Sequence, residues 1–308
     1  MQNAKCNPPE AEQNVKPGSE GMALVIVLMV VAILTAVVVE FSYGVYINTN
    51  ALYNWQASQK LSLSARSALK LASEVISENL DRYSYTHPDL LKDYNDKVFV
   101  DSQGAVSVRV DDEGGRFNLN TLLFPNGTLN TSAYASFVRL LKALKLDPVI
   151  ADRVADWIDP DSEPRVGDSE VNAKNGYLDS VDELLLIKGI DKASYERLMP
   201  YVTIYGSGLI NINCAESPVL MSLSDSIDDE MAQRIVSYRA NTPFERADNI
   251  LKVAGFETIG QSLMGRISVK GSVFRILAAA RSGDVRRTIE SVIEMSYGSP
   301  YVRYWREL

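Results

Sequence analysis

The chain has 308 residues, enough for two modest domains or for one domain carrying an insertion. A hydrophobic share of 46% and a charged share of 23% belong to a folded protein and exclude a disordered or collagen-like one. With 39 acidic against 31 basic residues, the chain lacks the surplus of Lys and Arg that a general binder of nucleic acid or anionic membrane needs.

In chain order, a polar leader (Met1–Glu20) with Lys5 and Lys16 precedes Gly21, and Met22–Val39 is then an unbroken apolar run. As a helix that run is about 27 Å long, close to the ~30 Å hydrocarbon core of a bilayer. The two lysines place the N-terminus on the cytoplasmic side. Three readings compete: a cleaved secretory signal, a plain signal anchor, and a prepilin-type signal. In the third, the leader is cut at Gly21 and the helix is kept. No small-residue cleavage pattern follows the run, which disfavours the first. Gly at the cut fits a peptidase that takes the backbone in extended, unhindered form.

Beyond the run, Leu61, Ala65, Ala68, Leu69, Ala72, Val75, Ile76 and Leu80 recur at spacings of three and four, so the helix continues as an amphipathic one. Gly44 and Asn48–Asn50 are expected to soften it, and it should stop before Pro88. Val98–Val110 alternates across Ser102-Gln103-Gly104 as a hairpin. The segment from Leu122 to Gly265 is mostly helical. Alternation then returns: Val273, Arg275, Leu277 and Ala279 mark one strand, Val285–Met295 another, and Tyr301–Trp305 a third. Strands at both ends with helices between make an α+β body with a helical insertion.

The insertion contains an internal repeat. Phe117-Asn-Leu-Asn-Thr121 recurs as Ile210-Asn-Ile-Asn-Cys214, Ile150–Trp157 parallels Met231–Tyr238, and Val181–Gly189 parallels Ala247–Gly255. Each copy resembles a helix-hairpin-helix unit, and the second resembles the repeats of competence-type DNA-uptake proteins. Hairpins that hold phosphate offer a Gly-rich turn of free N–H groups. Here the turn is Ser224-Asp-Ser-Ile-Asp-Asp-Glu230, with four acids and no Gly, so nucleic acid is not an expected partner.

The first copy carries an extra acidic loop, Asp159–Tyr177. Asp159, Asp161, Glu163, Asp168 and Glu170 gather around Gly167, with Asp156 just upstream. Hard cations take several carboxylate and carbonyl oxygens from a flexible loop, so calcium is one reading and a solvated acidic surface the other. The single histidine, His87, has no partner for a zinc site, and Cys214 is the sole cysteine outside the leader, which holds Cys6. No nucleophile motif, phosphate loop or catalytic carboxylate pair is present, so an enzyme is not expected.

Gly21-Met-Ala-Leu-Val25, Asp112-Glu-Gly-Gly-Arg-Phe-Asn-Leu-Asn120, Asp156-Trp-Ile-Asp-Pro-Asp161, Leu178–Gly189, Ile210-Asn-Ile-Asn213 and Tyr304-Trp-Arg-Glu307 occur in this order. From Gly21 to the C-terminus the chain therefore resembles the minor pseudopilin K family of type II secretion systems. The resemblance implies an α+β, pilin-like fold: a long N-terminal helix packed on an antiparallel sheet, with a large helical insertion. It implies cleavage by prepilin peptidase between Gly21 and Met22, N-methylation of Met22, and assembly with minor pseudopilins I and J at the tip of a periplasmic pseudopilus. Calcium in the insertion and an inner-membrane location follow from it as well. Ile26, the fifth mature residue, stands where most pilins carry Glu; the K family shares that absence. The implied division is leader 1–21, membrane helix 22–39, soluble helix and first hairpin 40–120, inserted domain with the acidic loop 121–206, second repeat 207–265 and closing strands 266–308. The alternatives are a membrane-anchored DNA-uptake protein and a minor type IV pilin.

Overall fold

The computed structural model describes residues 19–88, 98–101, 104–296 and 299–308. Most of the leader, with Lys5, Lys16 and Cys6, lies outside them, as does the Ser102–Gln103 part of the first hairpin turn. The chain forms two units, Met1–Ala57 and Ser58–Leu308.

One helix, α1 (Ser19–Arg82), begins in the first unit and ends in the second. Its 64 residues correspond to roughly 96 Å of length. No proline occurs between Pro17 and Pro88, so nothing removes a backbone N–H from its ladder. At Gly44 and Asn48–Asn50, where softening is expected, the backbone remains helical. A single Gly costs only about 1 kcal/mol in a helix, too little to break one with good formers on both sides.

In the first unit every residue of Gly21–Val39 is exposed, and Phe41, Tyr43, Tyr46, Tyr53 and Trp55 follow it, also exposed. An exposed apolar helix followed at once by Phe41, Tyr43 and Tyr46 has the pattern of a bilayer span with an interfacial belt; Tyr53 and Trp55 lie more than ~20 Å past Val39 along the helix, beyond such a belt.

The second unit has two cores. In the first, Leu61, Ala65, Ala72 and Ile76 of α1 pack on a five-stranded antiparallel sheet of order β1-β2-β7-β8-β9. The strands are β1 (Val98–Asp101), β2 (Gly104–Asp112), β7 (Val273–Ser282), β8 (Val285–Ser296) and β9 (Ser299–Glu307). Val108, Val110, Phe274, Ile276, Ala278, Ala280, Ile289 and Ile293 supply the sheet side of this core. The buried face of β7 is thus its even-numbered set; Arg275, Leu277 and Ala279 face away from α1 and are half-buried. Small residues at 65, 72, 278 and 280 are spaced to let helix and strand backbones approach closely.

The second core lies within the insertion. Two short parallel pairs frame it: β3 (Phe117–Asn118) with β4 (Val202–Thr203), and β5 (Ile210–Asn211) with β6 (Ile267–Ser268). After β3 come α2 (Thr131–Ala143), α3 (Val149–Ile158), a 3-10 turn (Val181–Leu186) and α4 (Lys192–Leu198). After β5 come α5 (Ser217–Met221), α6 (Asp229–Asn241) and a 3-10 turn (Ala247–Lys252). The Asn-x-Asn motif explains why both copies fold alike. Asn120 accepts from Leu178 N at 2.8 Å and donates to Leu178 O at 3.0 Å; Asn213 does the same to Phe244, at 2.8 and 2.9 Å. Each amide thereby substitutes for a strand partner and pins the chain just ahead of its 3-10 turn. Each turn ends at a glycine of positive φ, Gly189 (91°) and Gly255 (90°), and against each stands an arginine at the equivalent position, Arg153 and Arg234.

Two buried carboxylates join the cores. Asp112 accepts from Thr86 Oγ1, Asn211 Nδ2 and Gly114 N, each at 2.8 Å; a Cβ on Gly271 would collide with it at 2.2 Å. Burial pushes the Asp112 carboxyl up, against the pull of those hydrogen bonds. Glu113 receives Arg275 Nε at 2.7 Å, Arg116 Nη1 at 2.9 Å and the Thr203 hydroxyl, tying β7 to β4.

Candidate functional site

Helix α3 ends at Ile158, and its last turn carries Asp156 while Asp159 forms its cap. The three-residue spacing puts both carboxylates on one side of the turn. The loop that follows is folded back by tight turns: Ser169 N to Val166 O, Val171 N to Asp168 O and Ala173 N to Glu170 O, each 3.1 Å. Gly167, Asn172 and Asn175 take positive φ, and Asn175 N closes the loop on Trp157 O at 3.0 Å. This return brings Glu170 against Asp156 and Asp159, so that one oxygen from each lies within 4.8 Å of the others.

Asp156 and Asp159 are 0% and 1% exposed. Arg165, from the loop itself, donates to both of them through Nη1, and its backbone N donates to Asp156 Oδ2 at 2.8 Å. The Ser169 hydroxyl also donates to Asp156. Burial works against the charge on Arg165, but the two carboxylates outweigh it and hold its pKa above the ordinary value. Burial pushes the Asp159 carboxyl up despite Arg165. Glu170 is pushed up by burial and then by the charges of Asp159 and Asp156. Asp159 Oδ1 and both Glu170 oxygens are buried and make no hydrogen bond. Three orphaned carboxylate oxygens are ligands of the kind a hard cation takes, and they supply part of such a shell.

Of the five carboxylates expected from the sequence, the structure gathers Asp159 and Glu170. Asp161 and Glu163 are exposed, and Asp161 Oδ1 accepts from Glu163 N at 2.8 Å in a local turn. Asp168 turns to Lys188, which holds its carboxyl below the usual range, and to Arg153 at 3.7 Å. Asp156 is the member the expected set omits. Its signal was its position one turn before Asp159 on an apolar helix, where a carboxylate faces the core.

At the other expected sites, Gly21 and Met22 lie within the first turns of α1, and a Cβ on Gly21 would meet nothing within 4 Å. An extended presentation to a peptidase therefore requires the first turn to unwind. Ile26 is 56% exposed on the same helix. The acidic hairpin turn is closed to phosphate by its own side chains: Asp228 caps α6 by accepting from Met231 N at 2.8 Å, and Asp225 pairs with Arg139 at 3.1 Å.

Comparison with known proteins points one way. Models described as type II secretion system protein K match residues 115–207 and 210–270. The chain is 28% identical to type II secretion system protein K of Pseudomonas aeruginosa, over 91% of this chain and 90% of that one. It is 27% identical to the protein of the same name from Aeromonas hydrophila, over 88% and 92%. Its fold matches a chain of the GspK-GspI-GspJ complex of enterotoxigenic Escherichia coli with a TM-score of 0.67 at 23% identity, covering 82% of this chain and 98% of that one. Two adjoining family matches that together span half the chain, with full-length relatives of one name, establish that this chain belongs to the type II secretion system protein K family.

Proposed function

We propose that this minor pseudopilin sits at the tip of the periplasmic pseudopilus, together with minor pseudopilins I and J, and initiates or caps the filament that serves protein export. The observation that carries the reading is α1: a helix apolar and unpartnered over Met22–Val39, continuing without a break into one whose stripe packs on the sheet. Such a rod anchors in the inner membrane with the second unit on the periplasmic side, and it offers the helix along which filament subunits stack. A solved relative that forms a complex with GspI and GspJ supports these partners. The role is structural and involves no catalysis. Prepilin peptidase cuts between Gly21 and Met22, and Met22 is then N-methylated. Ile26 spares a terminal subunit the cost of a buried carboxylate lacking a neighbour's amine.

Calcium belongs to this reading as a loop clamp. Asp159 Oδ1 and the two Glu170 oxygens are the acceptors left for it, Asp156 being held by Arg165 and Ser169. Bound there, the ion would supply the charge that lets these acids stay ionised while buried, and so fix the loop onto α3.

The test is assembly of the full chain, purified from membranes in detergent, with its own organism's I- and J-type subunits. Light scattering after gel filtration should give a ternary complex, and the intact mass should start at Met22. Failure to associate with either subunit, with and without calcium, would overturn the proposal.

A further inference from the structure

A cleft of about 600 Å³ opens beside the connection between the two repeats. Its walls are the Asn118–Thr121 turn, the start of α2, the Gly206–Leu209 connection and Arg266. In a chain with more acids than bases, the described residues lining this cleft include no Asp or Glu and a single cation, Arg266.

Arg266 is half-buried, and of the five N–H donors of a guanidinium one is engaged, Nη2 to Ser136 Oγ at 2.7 Å. It has no salt-bridge partner among the described residues. Arg139 donates to the same hydroxyl at 3.0 Å, but its charge is matched by Asp225 at 3.1 Å and it also donates to Ser222 O at 2.9 Å. Burial, and then the charge of Arg139, lower the Arg266 pKa, as expected of a cation that lacks a counter-ion. The neighbouring amides are engaged with backbone: Asn120 Nδ2 donates to Leu178 O and Ile204 O, and Asn118 donates to Gly206 O and accepts from Asn120 N. The rim is apolar, with Phe124, Tyr177 and Leu209 exposed.

We propose that this cleft binds a polypeptide segment of another protein, holding one Glu or Asp carboxylate on Arg266 and an adjacent apolar side chain against Phe124 and Tyr177. A single uncompensated guanidinium matches a monoanion in charge, and its planar fork matches a carboxylate in shape. A phosphate dianion would call for a second arginine, and Arg139 does not line the cleft. The volume is that of a pocket for a few residues, not for a folded domain. None of Asp156, Asp159 and Glu170 lines the cleft, so the inference stands apart from the calcium reading.

The experiment uses the full chain in detergent micelles and two fluorescein-labelled, C-terminally amidated peptides, Ala-Leu-Glu-Phe-Ala and its Gln counterpart. Fluorescence anisotropy at low ionic strength should show the Glu peptide binding about tenfold tighter, a 1.4 kcal/mol preference. Arg266→Gln should erase the preference, and Arg266→Lys should keep part of it. Equal binding of the two peptides to the wild-type chain would overturn the proposal, whatever the variants do. A preference that survives in folded Arg266→Gln would overturn it too. Displacement of the Glu peptide by inorganic sulfate as readily as by unlabelled peptide would also overturn it, showing a site for free anions and not for a polypeptide.

Discussion

The two repeats of the insertion use the same joints and differ in what hangs between them. In both, an Asn-x-Asn amide clamps the backbone ahead of a 3-10 turn, and in both a positive-φ glycine closes that turn beneath an arginine. The second repeat passes from α6 to its clamp at Phe244 within a few residues. The first interposes Asp159–Tyr177 between α3 and the clamp at Leu178. The second copy shows that the scaffold closes without the loop. The acids of the first copy are therefore additions to the scaffold: Arg165 and Ser169 answer Asp156 and one side of Asp159, and Asp159 Oδ1 and the Glu170 oxygens are left without a partner.

The comparison can be broken at the clamps. Asn213 is 0% exposed, whereas Asn120 is half-buried beside the cleft. Asn213→Ala leaves the N–H and C=O of Phe244 without partners and without water. At about 1–3 kcal/mol for each of the two buried unsatisfied groups, the loss is roughly 2–6 kcal/mol. Asn120→Ala lets water reach the freed groups, and roughly 1–2 kcal/mol is expected. Urea denaturation followed by fluorescence checks the order; equal losses would mean that the two clamps are not doing equivalent work in unequal surroundings.

A second cut separates loop from scaffold. Calcium at a hundredfold excess over its dissociation constant should raise the stability of the wild-type chain by about 2.7 kcal/mol. The gain should vanish in Glu170→Ala and Asp159→Asn and persist in Asp161→Asn and Glu163→Gln. Without calcium, Glu170→Gln should be neutral or stabilising, because it removes a carboxylate crowded by Asp159 and Asp156 in a buried position. Thermal melts with and without chelator read both outcomes. A calcium response abolished by Asp161→Asn would restore the exposed carboxylates to the ligand set.

Elements whose period runs over many residues were legible: α1 from its stripe and lack of proline, and β2, β7 and β8 from alternation. Which face of β7 is buried was not. Leu277 and Ala279 are as apolar as Ile276 and Ala278, and the even-numbered set joins the core that holds Ala65 and Ala72. The parallel pairs β3–β4 and β5–β6 are two residues long and join segments far apart in sequence, so no period announces them. In the acidic loop, composition marked the acids but not which of them the fold brings together. Arg165 and Lys188 sort its acids, one drawing Asp156 and Asp159 inward and the other holding Asp168 at the surface.

The smallest difference between the copies is one of pH. Glu183 Oε1 accepts from Ser180 N at 3.2 Å, completing a capping box, and also from Asp179 N at 2.7 Å and Lys174 Nζ at 2.9 Å; Asn249 holds the equivalent position in the second repeat. Burial alone would raise the Glu183 carboxyl, but Lys174, the Asp179 N–H and Trp157 outweigh it and hold it below its ordinary 4.5. A carboxyl lowered on folding stabilises the folded state above its unfolded pKa, and that contribution fades as pH falls through the folded value. Glu183→Gln should therefore cost about 1 kcal/mol, the scale of a helix cap, at neutral pH and progressively less below pH 4.5. Asn249→Gln should show no such slope. The difference between wild type and Glu183→Gln at each pH isolates the effect from Asp159 and Glu170, whose raised carboxyls favour the folded state at low pH and oppose it as pH rises. A difference that stays flat down to the acid limit would mean that Lys174 holds the turn by contact alone and that the charge of Glu183 is spent on nothing.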